Sequence, residues 1–145
     1  MKKPRLRAKH GPEFGIQGDI VRMLSAKGWH IERLTGNAFQ SGLPDLLAGH
    51  PKYGMRFIEV KQEEGYRFTK PQKWKFPVLM DYGMGIWVLT EATEEQYDRL
   101  FKPPNLWDYL DRSECPSQEE VDQIVDHLAQ ILQDEYNGSE LRSED

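Results

Sequence analysis

Residues 44–61 read PDLLAGHPKYGMRFIEVK, two short apolar runs around a turn-like centre. Pro51 and Gly54 suit a tight reversal, so the runs predict an antiparallel hairpin centred near Lys52. Counting outward from Lys52 sets Asp45 opposite Glu59, with both side chains on one face and Cβ atoms about 5 Å apart. Alternation along the second run puts Glu59 and Lys61 on that same face, about 6.6 Å apart along the strand, and turns Ile58 and Val60 to the other.

Two readings of these charges stand side by side. One is a solvated polar side of the sheet, with Lys61 neutralising Glu59. The other is a site, because two carboxylates so close repel each other unless a cation lies between them. Two acids and a lysine on a rigid hairpin suit a hard divalent cation, Mg²⁺ or Mn²⁺, held by oxygen ligands. The lysine would then orient or help deprotonate an attacking water, as in metal-assisted phosphodiester hydrolysis. Aligned like charges are a cost that an idle surface need not carry.

Around the hairpin, the pattern predicts a helix from Pro12 and Glu13, with Phe14, Ile20, Val21 and Leu24 on its apolar face and Gly28 as its stop. Strands are expected at 29–34, 43–49 and 55–61, with TGNAFQSG as a loop between the first two. A helix over 69–82 ends at Gly83, and MGIWVLT at 84–90 is apolar enough to predict a central strand. Thr93 with Gln96 and Ser117 with Glu120 are capping-box pairs that open two further helices. The second of these carries Val121, Ile124, Val125, Leu128, Ile131 and Leu132 in one stripe. The order predicts an α/β fold, a mixed sheet flanked by helices.

Charge divides the chain. Residues 1–90 hold 15 Lys and Arg against 8 Asp and Glu; residues 91–145 hold 4 against 16, for a net charge of −5. We therefore expect a basic flexible arm at 1–11, a core at 12–90, an acidic helical extension at 91–136 packing on the core or on a partner, and a disordered tail at 137–145. The single cysteine, Cys115, excludes a disulfide framework or a multi-cysteine zinc site. No membrane-length apolar run is present, so no membrane partner and a soluble, cytoplasmic setting in a bacterial or phage-infected cell are expected. The four histidines lack metal-pair spacing.

Pro44-Asp45 followed by Glu59-Val60-Lys61 resembles the PD-(D/E)XK nuclease signature. The context resembles the VRR-NUC branch of that restriction-endonuclease-like superfamily: Glu13-Phe14-Gly15-Ile16-Gln17 is similar to its E-x-x-I-Q helix element, Gly42 to its glycine before the Pro-Asp pair, and Thr69-Lys70-Pro71-Gln72 to its T-x-x-Q element. The similarity spans about residues 12–90. It implies a metal-dependent DNA endonuclease, with Asp45, Glu59 and the Val60 carbonyl as metal ligands and Lys61 as the catalytic lysine. Glu13 would complete or support the metal shell, Gln17 would lie one turn further along, and Gln72 would lie near the site or the scissile strand. Plain alternatives exist for Glu13 as a helix N-terminal acid and for Gln72 as a helix-start surface residue.

Lys2, Lys3, Arg5, Arg7 and Lys9 in the arm, Arg33 and Asn37 near the loop, and Arg67, Lys70, Lys73 and Lys75 around the second helix are the expected DNA-phosphate contacts. Branched, flap or junction DNA is the expected substrate; a homing-type, sequence-specific enzyme is an alternative. A non-catalytic nucleic-acid-binding module and an acidic DNA mimic are others. A homodimer or higher oligomer is expected, since one site per chain requires two chains to cut both strands.

Overall fold

The structure, a computed structural model, describes residues 11–34 and 42–143, with side chains through residue 139. Lys2, Lys3, Arg5, Arg7, Lys9 and Asn37, all expected DNA contacts, lie outside the described residues. The chain divides into two compact units, Met1–Arg112 and Ser113–Asp145. The boundary falls after the first part of the acidic region, so residues 91–112 belong to the same unit as the sheet.

The first unit is a mixed four-stranded sheet flanked by helices, as the element order predicts. Strands β1 (His30–Arg33), β2 (Leu46–His50), β3 (Gly54–Val60) and β4 (Ile86–Leu89) lie in the order β1-β2-β3-β4. The first two pairings are antiparallel, and β3 with β4 is parallel. The hairpin register runs from His50↔Gly54 to Leu46↔Ile58, which centres the turn on Lys52 and continues outward to Asp45 and Glu59.

Helix α1 (Pro12–Ala26) starts with proline in its first turn and buries Gln17, Ile20 and Leu24. Ile20 and Leu24 pack with Leu46, Ala48, Ile58, Val60 and Leu89 in the main core. Phe14, expected on that face, is 49% exposed. At 3.6 residues per turn it lies about 90° around the helix from the centre of the buried face, whereas Glu13 falls on the buried side.

Helix α2 (Lys70–Asp81) begins with a complete capping box, in which Thr69 and Gln72 each satisfy the other's backbone amide. Gly83 follows it at φ +81. The strand that follows is not central, as its apolar run suggested. Among the described strands β4 is the sheet edge, and it stays apolar because side chains seal it. Asn105 Oδ1 accepts from Val88 N at 2.6 Å while Asn105 Nδ2 donates to Val88 O at 3.1 Å, so one side-chain amide substitutes for a neighbouring strand.

In α3 (Glu94–Asp98) Thr93 accepts from Gln96 N as a cap should. The Gln96 side chain turns elsewhere: its oxygen accepts from Thr90 N and Glu91 N, and its amide donates to Thr90 Oγ1. The Ser117–Glu120 box is complete and opens α4 (Gln118–Ser143). This helix continues through residues 137–143, which composition predicts to be a disordered tail; Glu140, Leu141 and Arg142 are good helix formers that outweigh Asn137-Gly138. No helix among the described residues is long and apolar enough to cross a membrane.

Candidate active site

The site forms where β2 begins and β3 ends. Leu34 N donates to Asp45 O at 2.8 Å, and Lys61 N donates to Leu89 O at 3.1 Å, so backbone from β1 and β4 pins both segments. Asp45 Oδ2 accepts from Val60 N at 2.8 Å, and Glu59 Oε1 accepts from Asp45 N at 3.2 Å. The two acids that turn counting pairs are therefore side by side.

Neither Glu59 nor Lys61 is solvated; they are 1% and 3% exposed. Lys61 Nζ lies 2.9 Å from Glu59 Oε2. It also donates to the Arg67 carbonyl at 2.7 Å and to Gln72 Oε1 at 3.3 Å, so three acceptors match the three protons of the ammonium. The Phe68 ring centre stands 4.5 Å from the same nitrogen. Nothing in the spacing of Phe68 marks it for this place.

Gln72 joins the acid to the lysine. Its amide donates to Glu59 Oε2 at 2.8 Å, while its oxygen accepts from Lys61 and, at 2.9 Å, from Thr69 N. The start of α2 and the charged pair therefore share one side chain. Gly42 belongs to the same corner: at φ +83, a Cβ there would meet the Pro71 carbonyl at 3.0 Å. Glycine satisfies both the backbone conformation and the close approach.

Burial, and then the charge of Asp45, push the Glu59 carboxyl up to about 8, against the pull of Lys61. The 2.9 Å ion pair does not outweigh the lost hydration. Burial also raises Asp45, opposed by the Val60 amide, its hydrogen bonding with Glu59, and Lys61. A pair held this way has a deficit of positive charge.

Glu13 reaches the same strand end from α1, where Oε1 accepts from Gln62 N at 3.4 Å. Gln17, one turn on, is buried and accepts from Arg33 at 3.2 Å. Among the described residues no three of His, Cys, Asp and Glu converge into a closed cage. Two carboxylates on rigid backbone still fit Mg²⁺ or Mn²⁺ in kind, because such ions are commonly bound by one or two carboxylates with water and substrate phosphate completing the shell.

The expected phosphate contacts distribute unevenly. Arg33, Arg67 and Lys70 are exposed, whereas Lys73 and Lys75 are half-buried and burial lowers the Lys75 pKa. Arg67 is tied to the site through its own carbonyl, and Arg33 through Gln17 and its neighbour Leu34. Trp74 and Trp87 are half-buried; the Arg56 guanidinium sits 5.1 Å from the Trp87 ring.

No protein-family model and no curated protein matches the chain. A solved structure described as a VRR_NUC domain is similar to it at 26% identity and a TM-score of 0.51, over 62% of this chain and 94% of that one. Nearly all of such a domain is thus matched, and more than a third of this chain lies outside the match. With this likeness added to the Pro44-Asp45 and Glu59-Val60-Lys61 elements at adjoining strand ends, the chain has a restriction-endonuclease-like α/β fold and is similar to the VRR-NUC type of the PD-(D/E)XK nucleases.

Proposed function

We propose that this chain is a Mg²⁺- or Mn²⁺-dependent endodeoxyribonuclease that hydrolyses phosphodiester bonds in branched, flap or junction DNA. The observation that carries the reading is the buried Glu59–Lys61 pair with Asp45 against it, two crowded carboxylates and one cation at the mouth of a rigid hairpin. Asp45, Glu59 and the Val60 carbonyl would hold the metal, with Glu13 supporting the shell from α1. When bound there, a divalent cation supplies Lewis-acid polarisation of the phosphodiester and neutralises its developing charge.

The chain's own groups do the rest. Gln72 hydrogen-bonds both the Glu59 carboxylate and the Lys61 ammonium and so fixes them relative to each other. Lys61 presents a fixed positive charge to an attacking water or to the phosphate oxygens. Arg33, Arg67, Lys70, Lys73 and Lys75 hold flanking phosphates. Glu63 and Glu64, which follow Lys61 closely in the sequence, interrupt a long basic track, which favours DNA with unpaired or branched segments over plain duplex. The exposed apolar stripe of α4 supports assembly as a homodimer that places two sites on one substrate.

The test incubates the full chain with end-labelled duplex, splayed, flap and four-way DNA in Mg²⁺ or Mn²⁺, beside Asp45→Ala and Lys61→Ala. Cleavage of branched forms that both variants abolish is the expected result. No cleavage of any form, or equal cleavage by the variants, sinks the reading.

A further inference from the structure

Beyond β4 an open groove of about 550 Å³ runs alongside the site, within the range of pockets that take a small organic ligand. Its residues come from two places: Glu63 and Tyr66 from the segment after Lys61, and Arg99, Lys102, Asp108 and Tyr109 from the region following β4. The Tyr66 and Tyr109 rings meet at 5.3 Å and 60°, forming a corner rather than a closed stack. Tyr109 is held in place, since its hydroxyl accepts from Arg99 at 2.9 Å. Arg99 in turn donates to the Val88 carbonyl at 3.3 Å, and Val88 is the register partner of Glu59.

The groove therefore begins about two strand spacings, roughly 10 Å, from the carboxylate pair. Tyr66 precedes Arg67, whose carbonyl holds the Lys61 ammonium. A ligand seated in the corner and a phosphate at the site are within one or two nucleotides of each other.

We propose that this groove is a subsite for one unpaired nucleotide whose base carries an exocyclic amino group. The inference rests on the nuclease reading of the adjoining site. Each part of a nucleotide has a counterpart here. An aromatic corner offers a stacking face to a base; Lys102, which is exposed, offers a charge to its phosphate. Glu63 and Asp108, both exposed, are acceptors only. They repel a bare phosphate and accept from the amino group of cytosine, adenine or guanine. Unpaired thymine has no exocyclic amino group and offers only its single ring N3–H between two carbonyls, which themselves face the carboxylates unfavourably.

The experiment measures equilibrium binding of fluorescein-labelled oligo(dC) and oligo(dT) of equal length to the full chain in chelator, where no cleavage occurs. Wild type is expected to bind oligo(dC) roughly tenfold more tightly. The surface pair Glu63→Gln with Asp108→Asn should bring the two affinities within about twofold, and Lys102→Glu should weaken both alike. Equal wild-type affinities, no binding of either strand, or a preference that survives the Glu63→Gln, Asp108→Asn change would overturn the subsite. A protein that cuts branched DNA without the dC preference loses this inference alone; one that shows the preference but cuts nothing loses the nuclease reading instead.

Discussion

Asp45 and Glu59 each hold backbone that belongs to the other's strand end: Glu59 Oε1 accepts from Asp45 N, and Asp45 Oδ2 accepts from Val60 N. The crossed hydrogen bonds lock two like charges at close range. Structure alone does not benefit from that arrangement, since burial and the Asp45 charge raise the cost of ionising Glu59, and burial that of Asp45. A cation between them turns the same geometry into a binding site.

The crossed bonds separate structural from chemical loss at Asp45. Asp45→Asn keeps an oxygen for Val60 N and removes the charge facing Glu59, so its urea midpoint in chelator should equal or exceed that of wild type. Asp45→Ala strands the Val60 amide and should cost about 1–3 kcal/mol, partly offset by the relieved repulsion. Cleavage should fall at least about a hundredfold in both, because each lacks a ligand oxygen with full charge. An Asp45→Asn protein that cuts within threefold of wild type would remove Asp45 from the metal site.

Lys61 and Glu59 should show strong coupling. Lys61→Met leaves a buried carboxyl without its cation, a change that typically costs about 3–5 kcal/mol when the charge stays. Glu59 can escape by keeping its proton, so the loss should be small at pH 6 and large at pH 9. Glu59→Gln in the Lys61→Met background should recover most of it, while cleavage stays absent. Denaturation at the two pH values checks this, and equal losses at both would show that the pair is not a coupled unit.

The raised Glu59 carboxyl makes metal-free stability fall with pH. A carboxyl whose folded value lies above its unfolded one binds its proton more tightly when folded. Its contribution is fully present below the ordinary 4.5 and is lost as pH climbs through about 8. Asp45, also raised, adds a loss of the same sign. In chelator, unfolding free energy should therefore drop between pH 5 and 8.5 by on the order of 3 kcal/mol, and Glu59→Gln should flatten the slope. Adding Mg²⁺ or Mn²⁺ at pH 8 should raise Tm, because binding to the folded state stabilises it by mass action. A rising or flat wild-type profile in chelator contradicts the assignment.

The hairpin was legible because its information is local. One turn at 50–54 fixes the register, and a period of two then fixes which charges share a face. The capping box at Ser117 was legible for the same reason. What failed depends on contacts between distant segments. The β4 run reads as central, since burial on both faces looks the same whether a strand or Asn105 closes the edge. Phe68 against Lys61 and the Arg99–Tyr109 corner likewise carry no periodic signal. Gln72 was legible, by resemblance, as a site residue at a helix start; that its side chain also closes a capping box appears only in three dimensions.

The stripe on α4 predicts the oligomeric state. Val125, Leu128, Ile131, Leu132 and Tyr136 are 40–59% exposed, and they recur at helical spacing on a helix otherwise rich in acids. Covering a Leu or Ile fully is worth about 1.5–3 kcal/mol, so a second copy of the stripe is a favourable cover. Sedimentation at micromolar concentration should give a dimer. Leu128→Glu with Leu132→Glu should give a monomer with unchanged far-UV circular dichroism and should convert paired cuts on a four-way junction into single nicks. A wild-type monomer that still makes paired cuts would show that α4 does not bring two sites together.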